Sequence, residues 1–376
     1  MRFVFYTHSL ISDWNHGNAH FLRGVMRELL ARGHEAVALE PADGWSRDNL
    51  IKDQGLTPLA RFQADFPELV SVSYGTDFPH EEVLADADVV VVHEWTDPRL
   101  VARIGDIRRR GGGFTLLFHD THHRAVSAAP EIGALNLEDY DCILAFGDAV
   151  RERYLKAGWG SQVVTWHEAA DTRLFRPMPE YDRERDVVWI GNWGDDERAE
   201  ELQAYLLDPV REHRLDGTVH GVRYPPEALE KISAAGLFYG GWIANADAPR
   251  AFARHRLAVH VPRRPYASAL PGIPTIRVFE ALACGMPLVC APWTDSEALF
   301  RPGRDFLVAA DSRQMSAHVR DVVKDPQLAA ELARSGLQTV KARHTCAHRV
   351  DELLATLRRL GTARARSSLP AVEAAE

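Results

Sequence analysis

Short, unbroken apolar runs recur along this chain, and each is followed by a stretch with helical spacing. Arg2–Tyr6 (RFVFY), Asp88–His93 (DVVVVH), Phe114–His119 (FTLLFH) and Cys142–Phe146 (CILAF) are too short for helices and show no polar alternation. A strand apolar along its whole length is covered on both faces, as in a parallel sheet flanked by helices. In Ala19–Arg32, by contrast, Phe21, Leu22, Val25, Met26, Leu29 and Leu30 fall at helical spacing, and Gly33 follows as a stop. Glu35–Leu39 and Gln162–Trp166 read as further strands. The alternation predicts β-α-β units and a mostly parallel, doubly wound sheet.

The rhythm pauses at Phe175–Arg185 (FRPMPEYDRER) and restarts at Asp186–Ile190. Strands are expected again at Thr218–Val222, Leu237–Tyr239, Leu257–Val261, Pro287–Cys290 and Phe306–Val308. Helices at Met315–Val323, Pro326–Arg334 and Ala347–Leu360 close the chain. A length of 376 residues suits two such units. The expected boundaries are 1–173 for the first domain and 174–346 for the second, with helix 347–360 returning to the first. The small, polar stretch 361–376 reads as a disordered tail. The predicted fold class is therefore α/β: two Rossmann-like, doubly wound domains facing a cleft, with a C-terminal helix crossing back. In such folds the carboxyl ends of the strands line the cleft and helix N-termini point at anions.

Charge and cysteine usage narrow the function. Lys+Arg total 44 against 53 Asp+Glu, a net charge of -9, which argues against a protein that works by coating nucleic acid. Cys142, Cys284, Cys290 and Cys346 lie far apart without a C-x-x-C pair, so neither a disulfide framework nor a zinc ribbon is expected. The opening MRFVFYTHSL lacks the long apolar core of a signal peptide, and no stretch reaches membrane-spanning length. These features predict a cytoplasmic protein and leave a peripheral membrane contact open.

Several chemistries are absent from the sequence. No G-x-G-x-x-G follows a strand, no G-x-x-x-x-G-K-[ST] exists, and no G-x-S-x-G appears. His167-Glu168-Ala169-Ala170-Asp171 has Asp where a zincin has its second His, and it stands at a strand end. The most informative segment is Pro271–Pro292, PGIPTIRVFEALACGMPLVCAP, where a Gly/Pro loop leads into a helix opening near Thr275 and ending at Gly285. Thr275 and the free amides of the first turn form an anion site, to which Arg277 adds a positive charge suited to a diphosphate. Glu280, one turn on, suits the two vicinal hydroxyls of a ribose. The plain alternative is an ordinary helix with surface charges.

This segment resembles the donor-binding helix of GT-B glycosyltransferases, similar to family 4 and closest to the CgeB-like (spore-maturation-protein-like) branch. Further resemblances follow in chain order: Gly17 in a loop before the first long helix, Arg32-Gly33-His34-Glu35, the hinge Ala169–Pro177, Gly191-Asn192-Trp193 with Arg198, and His344–Val350. One position departs, because family 4 enzymes carry a sugar-binding glutamate where this chain has Gly272.

The resemblance implies transfer of a sugar from a UDP- or GDP-sugar to an unidentified acceptor, retaining and without a metal or other cofactor. It assigns the diphosphate to Arg277, assisted by Thr275, Asn192 and Arg198, with Gly272, Ile273 and Pro274 as the loop beneath the donor. It gives the base to Trp242 and Ile243 and the ribose to Glu280. His8, Asp13, Asn15, His16, Gly17 and Asn18 fall on the first β-α loop, facing the acceptor. His119 and Asp120, at another strand end, join Arg277 as candidate catalytic groups, as orienting residues or as an acid-base pair. The His119/His122/His123 cluster also reads as a weaker metal candidate, although no metal is expected. Two other functions fit the same outline, a non-catalytic binding or assembly protein and a nucleotide-sugar 2-epimerase.

Overall fold

The computed structural model describes residues 1–367. Its first domain is built on a seven-stranded, all-parallel sheet: β1 (Arg2–Tyr6), β2 (Glu35–Pro41), β3 (Val70–Tyr74), β4 (Val89–His93), β5 (Thr115–Asp120), β6 (Cys142–Ala145) and β7 (Val163–Thr165), in the order β3-β2-β1-β4-β5-β6-β7. The second is a six-stranded parallel sheet: β8 (Arg185–Ile190), β9 (Gly217–His220), β10 (Leu237–Gly241), β11 (His255–His260), β12 (Leu288–Cys290) and β13 (Leu307–Val308), in the order β10-β9-β8-β11-β12-β13. In each sheet the winding reverses once, between β1 and β4 and between β8 and β11. Such switch points open a crevice at the carboxyl edge.

The apolar runs occupy the middle of the first sheet, and all five residues of β4 are buried. The strand that the sequence did not announce is β3, an edge strand whose Val70 and Val72 are exposed. In its VSVSY sequence the valines face solvent while Ser71 and Tyr74 are the partly buried positions, so no apolar face marks the strand. Helix Ala19–Ala31 buries Phe21, Val25, Met26 and Leu29, and Gly33 ends it in the left-handed region at φ 77°.

Helix Pro326–Arg343 runs past the expected end at Arg334. Gly336 sits within it because the Asp305 carbonyl and Leu282 press against the helix there, leaving no room for a Cβ. The last helix, Cys346–Ser367, packs on helix Ala19–Ala31. The Trp166 indole donates to the Arg349 carbonyl at 2.8 Å, and Arg32 donates to the Ala347 carbonyl at 3.1 Å. Residues 361–367 of the expected tail belong to this helix, and 368–376 lie outside the described residues.

Two apolar seams hold the lobes together. Ile276 and Phe279 of the second domain share a core with Phe21, Val25 and Trp166 of the first. Tyr266, Leu270 and Ile273, from the segment joining β11 to the next long helix, enter the first domain's core beside Phe146 and Val150.

Candidate functional site

A cavity of about 500 Å³ lies between the two carboxyl edges. Its walls are the segments that leave β1, β2, β4 and β5 on one side and β8, β9, β10 and β11 on the other. The first wall carries His8, the Asp13–Asn18 loop, Trp45, His93, Trp95, Thr121 and His122. The second carries Asn192, Arg198, Val222, Arg223, Trp242, Ile243, His260, Arg263, Thr275 and Arg277.

The second wall is a cationic cradle. Helix Ile276–Ala283 opens after Thr275, whose extended backbone ends the preceding loop, and no side chain caps it. The Thr275 hydroxyl turns instead to His260 Nε2 at 2.9 Å. Burial holds the His260 imidazole down to about 3, so it is neutral. The uncapped first turn therefore presents its amides, and Arg277 lines the cavity beside them.

Arg198 is almost fully enclosed. Its guanidinium donates to the Val261 carbonyl at 3.2 Å and the Asn192 carbonyl at 2.7 Å, lies 5.1 Å from the Trp189 ring centroid, and leaves Nε without a partner. Burial, reinforced by Arg263, lowers Arg198 to about 10, which still leaves it charged at neutral pH. Arg263 donates to Glu197 at 2.7 Å and to Asn192 Oδ1 at 3.2 Å. Three guanidinium groups thus surround Asn192 and the helix start.

The first wall reaches across to this cradle. Asn15, held at φ 51°, accepts a hydrogen bond from the Asn192 amide. Asp13 Oδ2 accepts from Arg23 at 2.9 Å and from the Asn245 N–H at 3.0 Å, so Asp13 spans the lobes. A Cβ on Gly17 would lie 3.1 Å from Ile276 Cγ2 and 3.8 Å from Arg277 Nη2, so this loop passes directly over the helix start. His16 and Asn18 line the cavity beside it, and the Asn18 amide donates to the Thr121 carbonyl at 3.2 Å.

Enclosure keeps the first wall's imidazoles neutral. Burial lowers His8 to about 4 and holds His16, His93 and His122 well below the usual histidine range. The Trp95 N–H donates to His93 Nδ1 at 3.3 Å, so His93 carries its proton on Nε2 and donates to Thr121 Oγ1 at 2.9 Å. His122 Nδ1 is buried with no partner, as are Trp242 Nε1 and Asp13 Oδ1.

Four groups of expected site residues stand elsewhere. Glu280 does not open to the cavity: it is fully buried, with Oε1 2.9 Å from His20 Nδ1 and Oε2 paired with Arg277. It joins the first domain's helix to the cradle arginine, and this double pairing holds its carboxyl below the usual range despite the burial. His119 lies behind the wall, 4.8 Å from the Trp166 ring centroid, against Phe21 and His93. Asp120 is fully buried, accepting from the Tyr154 hydroxyl at 2.7 Å and the His122 N–H at 3.1 Å, so it positions the His122 segment. Gly272, Ile273 and Pro274 form a buried support: Ser296 and Glu297 crowd Gly272, and the Trp293 indole donates to the Ile273 carbonyl at 3.2 Å. The expected histidine cluster also separates, because His122 lines the cavity while His123 turns to Ser127 at 2.8 Å. Among the described residues no group of three or more His, Cys, Asp or Glu is arranged to hold a metal ion.

Sequence reasoning passed over Trp45, His93, Trp95, His260 and Arg263, all of which line the cavity. The signal for four of them was available. His93 closes the VVVVH run and Trp95 follows it, while His260 lies in LAVHV and Arg263 follows it, all at the carboxyl ends of predicted strands.

Residues 172–355 match a family model described as glycosyl transferase-like, which covers the whole cationic wall. The entire fold is that of GT-B glycosyltransferase structures. It is similar to Anabaena HepE in complex with UDP (14% identity, TM-score 0.67, covering 96% of this chain and 100% of that one). It is also similar to sucrose-phosphate synthase from Thermosynechococcus elongatus (13% identity, TM-score 0.67, 96% and 100%). A third similar structure is an alpha-glucosyltransferase in complex with UDP and a 13-mer DNA (12% identity, TM-score 0.67, 95% and 99%). No curated protein matches the chain.

Proposed function

We propose that this protein transfers a glycosyl group from a nucleotide diphosphate sugar, a UDP- or GDP-sugar, to an acceptor bound on the first wall. The observation that carries this reading is the uncapped helix start at Thr275 with Arg277, Arg198 and Arg263 lining the same cavity, facing the first domain across it. A diphosphate leaving group develops negative charge as the glycosidic bond breaks. Fixed guanidinium groups and helix amides stabilise that charge where water is excluded. Their number supports a metal-independent reaction.

In the proposed retaining course, the bond from sugar C1 to the phosphate oxygen breaks. The acceptor hydroxyl oxygen bonds C1 on the same face, and its proton passes to the departing diphosphate. No protein base is required, consistent with His119 and Asp120 lying behind the cavity surface. The base of the nucleotide falls to Trp242 and Ile243. Within the class we place the chain nearest the CgeB-like branch, on Gly191-Asn192-Trp193 with Arg198 and on the arginine at 277. Four unpaired cysteines, together with the lack of a membrane-crossing helix among the described residues, support a cytoplasmic site of action.

The test is a thermal-shift screen of UDP-, GDP- and dTDP-sugars in the presence of a chelator, followed by assay of nucleotide release. A ligand at 100 times its Kd stabilises the folded state by about 2.7 kcal/mol. No shift with any sugar nucleotide would overturn the proposal and favour a non-catalytic binding protein. Interconversion of sugar nucleotides without acceptor would point to an epimerase.

A further inference from the structure

We propose that the first wall is a subsite for a neutral saccharide acceptor, seated over His8 and flanked by Trp45 and Trp95; this rests on the transferase reading above. Of the large hydrophobic side chains that the described residues leave exposed, only these two tryptophans line the cavity, each 47% exposed. The His8 ring lies between them, its centroid 6.2 Å from Trp45 and 6.3 Å from Trp95.

Both tryptophans are held in place before any ligand arrives. Trp45 packs edge-on against Trp14 at 5.1 Å, and the Trp14 indole is anchored on Asp53 at 3.0 Å. Arg124 lies 4.2 Å from the Trp95 ring centroid and donates to the Glu94 carbonyl at 2.8 Å. Arg124 covers one face of Trp95 and His122 meets the ring at 5.7 Å, while the rest of the half-exposed ring opens to the cavity. Rigid aromatic platforms lose little entropy on binding.

The chemistry of this wall selects the class of acceptor. Asp13 is its only charged lining residue; its Oδ2 is engaged by Arg23 and the Asn245 N–H, and its Oδ1 is without a partner. The imidazoles are neutral, and although His93 uses both nitrogens on the Trp95 N–H and Thr121 Oγ1, His8 and His122 keep ring nitrogens for a ligand. His122 Nδ1 is buried and still without a partner. An anionic acceptor meets no cation on this wall, and an alkyl chain meets polar rings. A pyranose suits it. The C–H groups on one sugar face carry the partial positive charge that an aromatic face attracts, and the hydroxyls pair with imidazole nitrogens.

The experiment uses the full chain and the sugar nucleotide that calorimetry shows it to bind. Nucleotide release above acceptor-free hydrolysis is measured with methyl α-glucoside, maltose, cellobiose and lactose. p-Nitrophenol and 1-dodecanol serve as the aromatic and alkyl probes. We expect stimulation by a saccharide, with KM raised about 10-fold in Trp95→Ala and in Trp45→Ala and nucleotide affinity within twofold of the unaltered protein. Trp95→Phe, which keeps a ring, should recover most of the loss. Stimulation by the phenol or the alcohol alone, by none of the probes, or by a saccharide whose KM neither alanine variant moves, would overturn the proposal while leaving the transferase reading intact. If no sugar nucleotide binds at all, the wider reading fails, and this one fails with it.

Discussion

The two walls of the cavity are made from the same structural device and carry opposite chemistry. Each is the carboxyl edge of a parallel sheet at its switch point. The second wall concentrates guanidinium groups and free helix amides, while the first has four imidazoles that enclosure keeps uncharged. The fold therefore supplies the place, and side chains at a few strand ends decide what binds there. A phosphate needs charge that burial cannot remove, and arginine keeps its charge when enclosed, as Arg198 does at about 10. Histidine loses its charge under the same treatment and becomes a neutral hydrogen-bonding surface.

The walls are joined through a fully buried charge at Glu280, so the largest effect is expected there. Its fully buried carboxylate links His20 of the first domain to Arg277 of the second. Glu280→Ala leaves Arg277 unpaired and His20 without its acceptor, and should lower stability by about 3–5 kcal/mol in urea unfolding. A variant as stable as the unaltered protein would mean that the apolar seams and the remaining polar bridges, such as Asp13 to Asn245, hold the lobes without Glu280. Next in size is the cradle itself. Arg277→Ala should weaken binding of the nucleoside diphosphate by roughly 10- to 150-fold, equivalent to about 1.5–3 kcal/mol. The loss should shrink in high salt, which screens the unaltered protein's advantage. Equal affinity in both proteins would remove the phosphate role from the second wall.

Acid separates the walls by a smaller effect. Imidazoles whose folded-state values lie below their unfolded value favour folding while neutral. Their contribution is complete above about 6.5 and is lost as pH falls towards the folded value. For His8, lowered to about 4, the loss at pH 5 is at most about 2 kcal/mol. Asp120, raised to about 6, and Glu297, raised to about 8, work in the opposite sense: they favour folding when protonated and lose that contribution as pH rises. More histidines than carboxylates are shifted in this way, so stability measured by urea unfolding should fall from pH 6.5 to 4. A flat profile would mean that the first wall's rings are solvated and ordinary.

The sequence made the architecture legible because doubly covered strands and glycine-terminated helices leave local signatures. The helix start at Thr275 and the placement of Arg277 were readable for the same reason, since loop, cap and first turn are contiguous. The pairing of Glu280 was not legible because its partner His20 is 260 positions away, and nothing local distinguishes a carboxylate awaiting a ribose from one already paired. His119 and Asp120 were placed on the correct strand end, but adjacent residues of a strand point to opposite sides. Whether either reaches the cavity depends on Trp166 and Tyr154, which other elements bring in. Trp45 opens the helix that leaves β2, a few positions beyond the predicted strand Glu35–Leu39, and Trp14 packs against it there.

The smallest expected effect tests how closely the walls meet. Gly17 has an ordinary backbone angle, so its lack of a side chain is a matter of space and not of conformation. A Cβ there would approach Ile276 Cγ2 to 3.1 Å, a few tenths of an ångström inside normal contact, while Arg277 Nη2 would be at a comfortable 3.8 Å. Gly17→Ala should therefore leave the fold intact, displace the start of the cradle helix slightly and lower kcat/KM for the sugar nucleotide by a few-fold, because small displacements of a positioned group are costly to rate. Gly17→Leu, which cannot be accommodated by so small a shift, should hold the lobes apart and cost more than Arg277→Ala in kcat while costing less in nucleotide affinity. If both variants turn over normally, the closed arrangement is not the one in which transfer occurs, and the two walls act on their ligands from a greater separation.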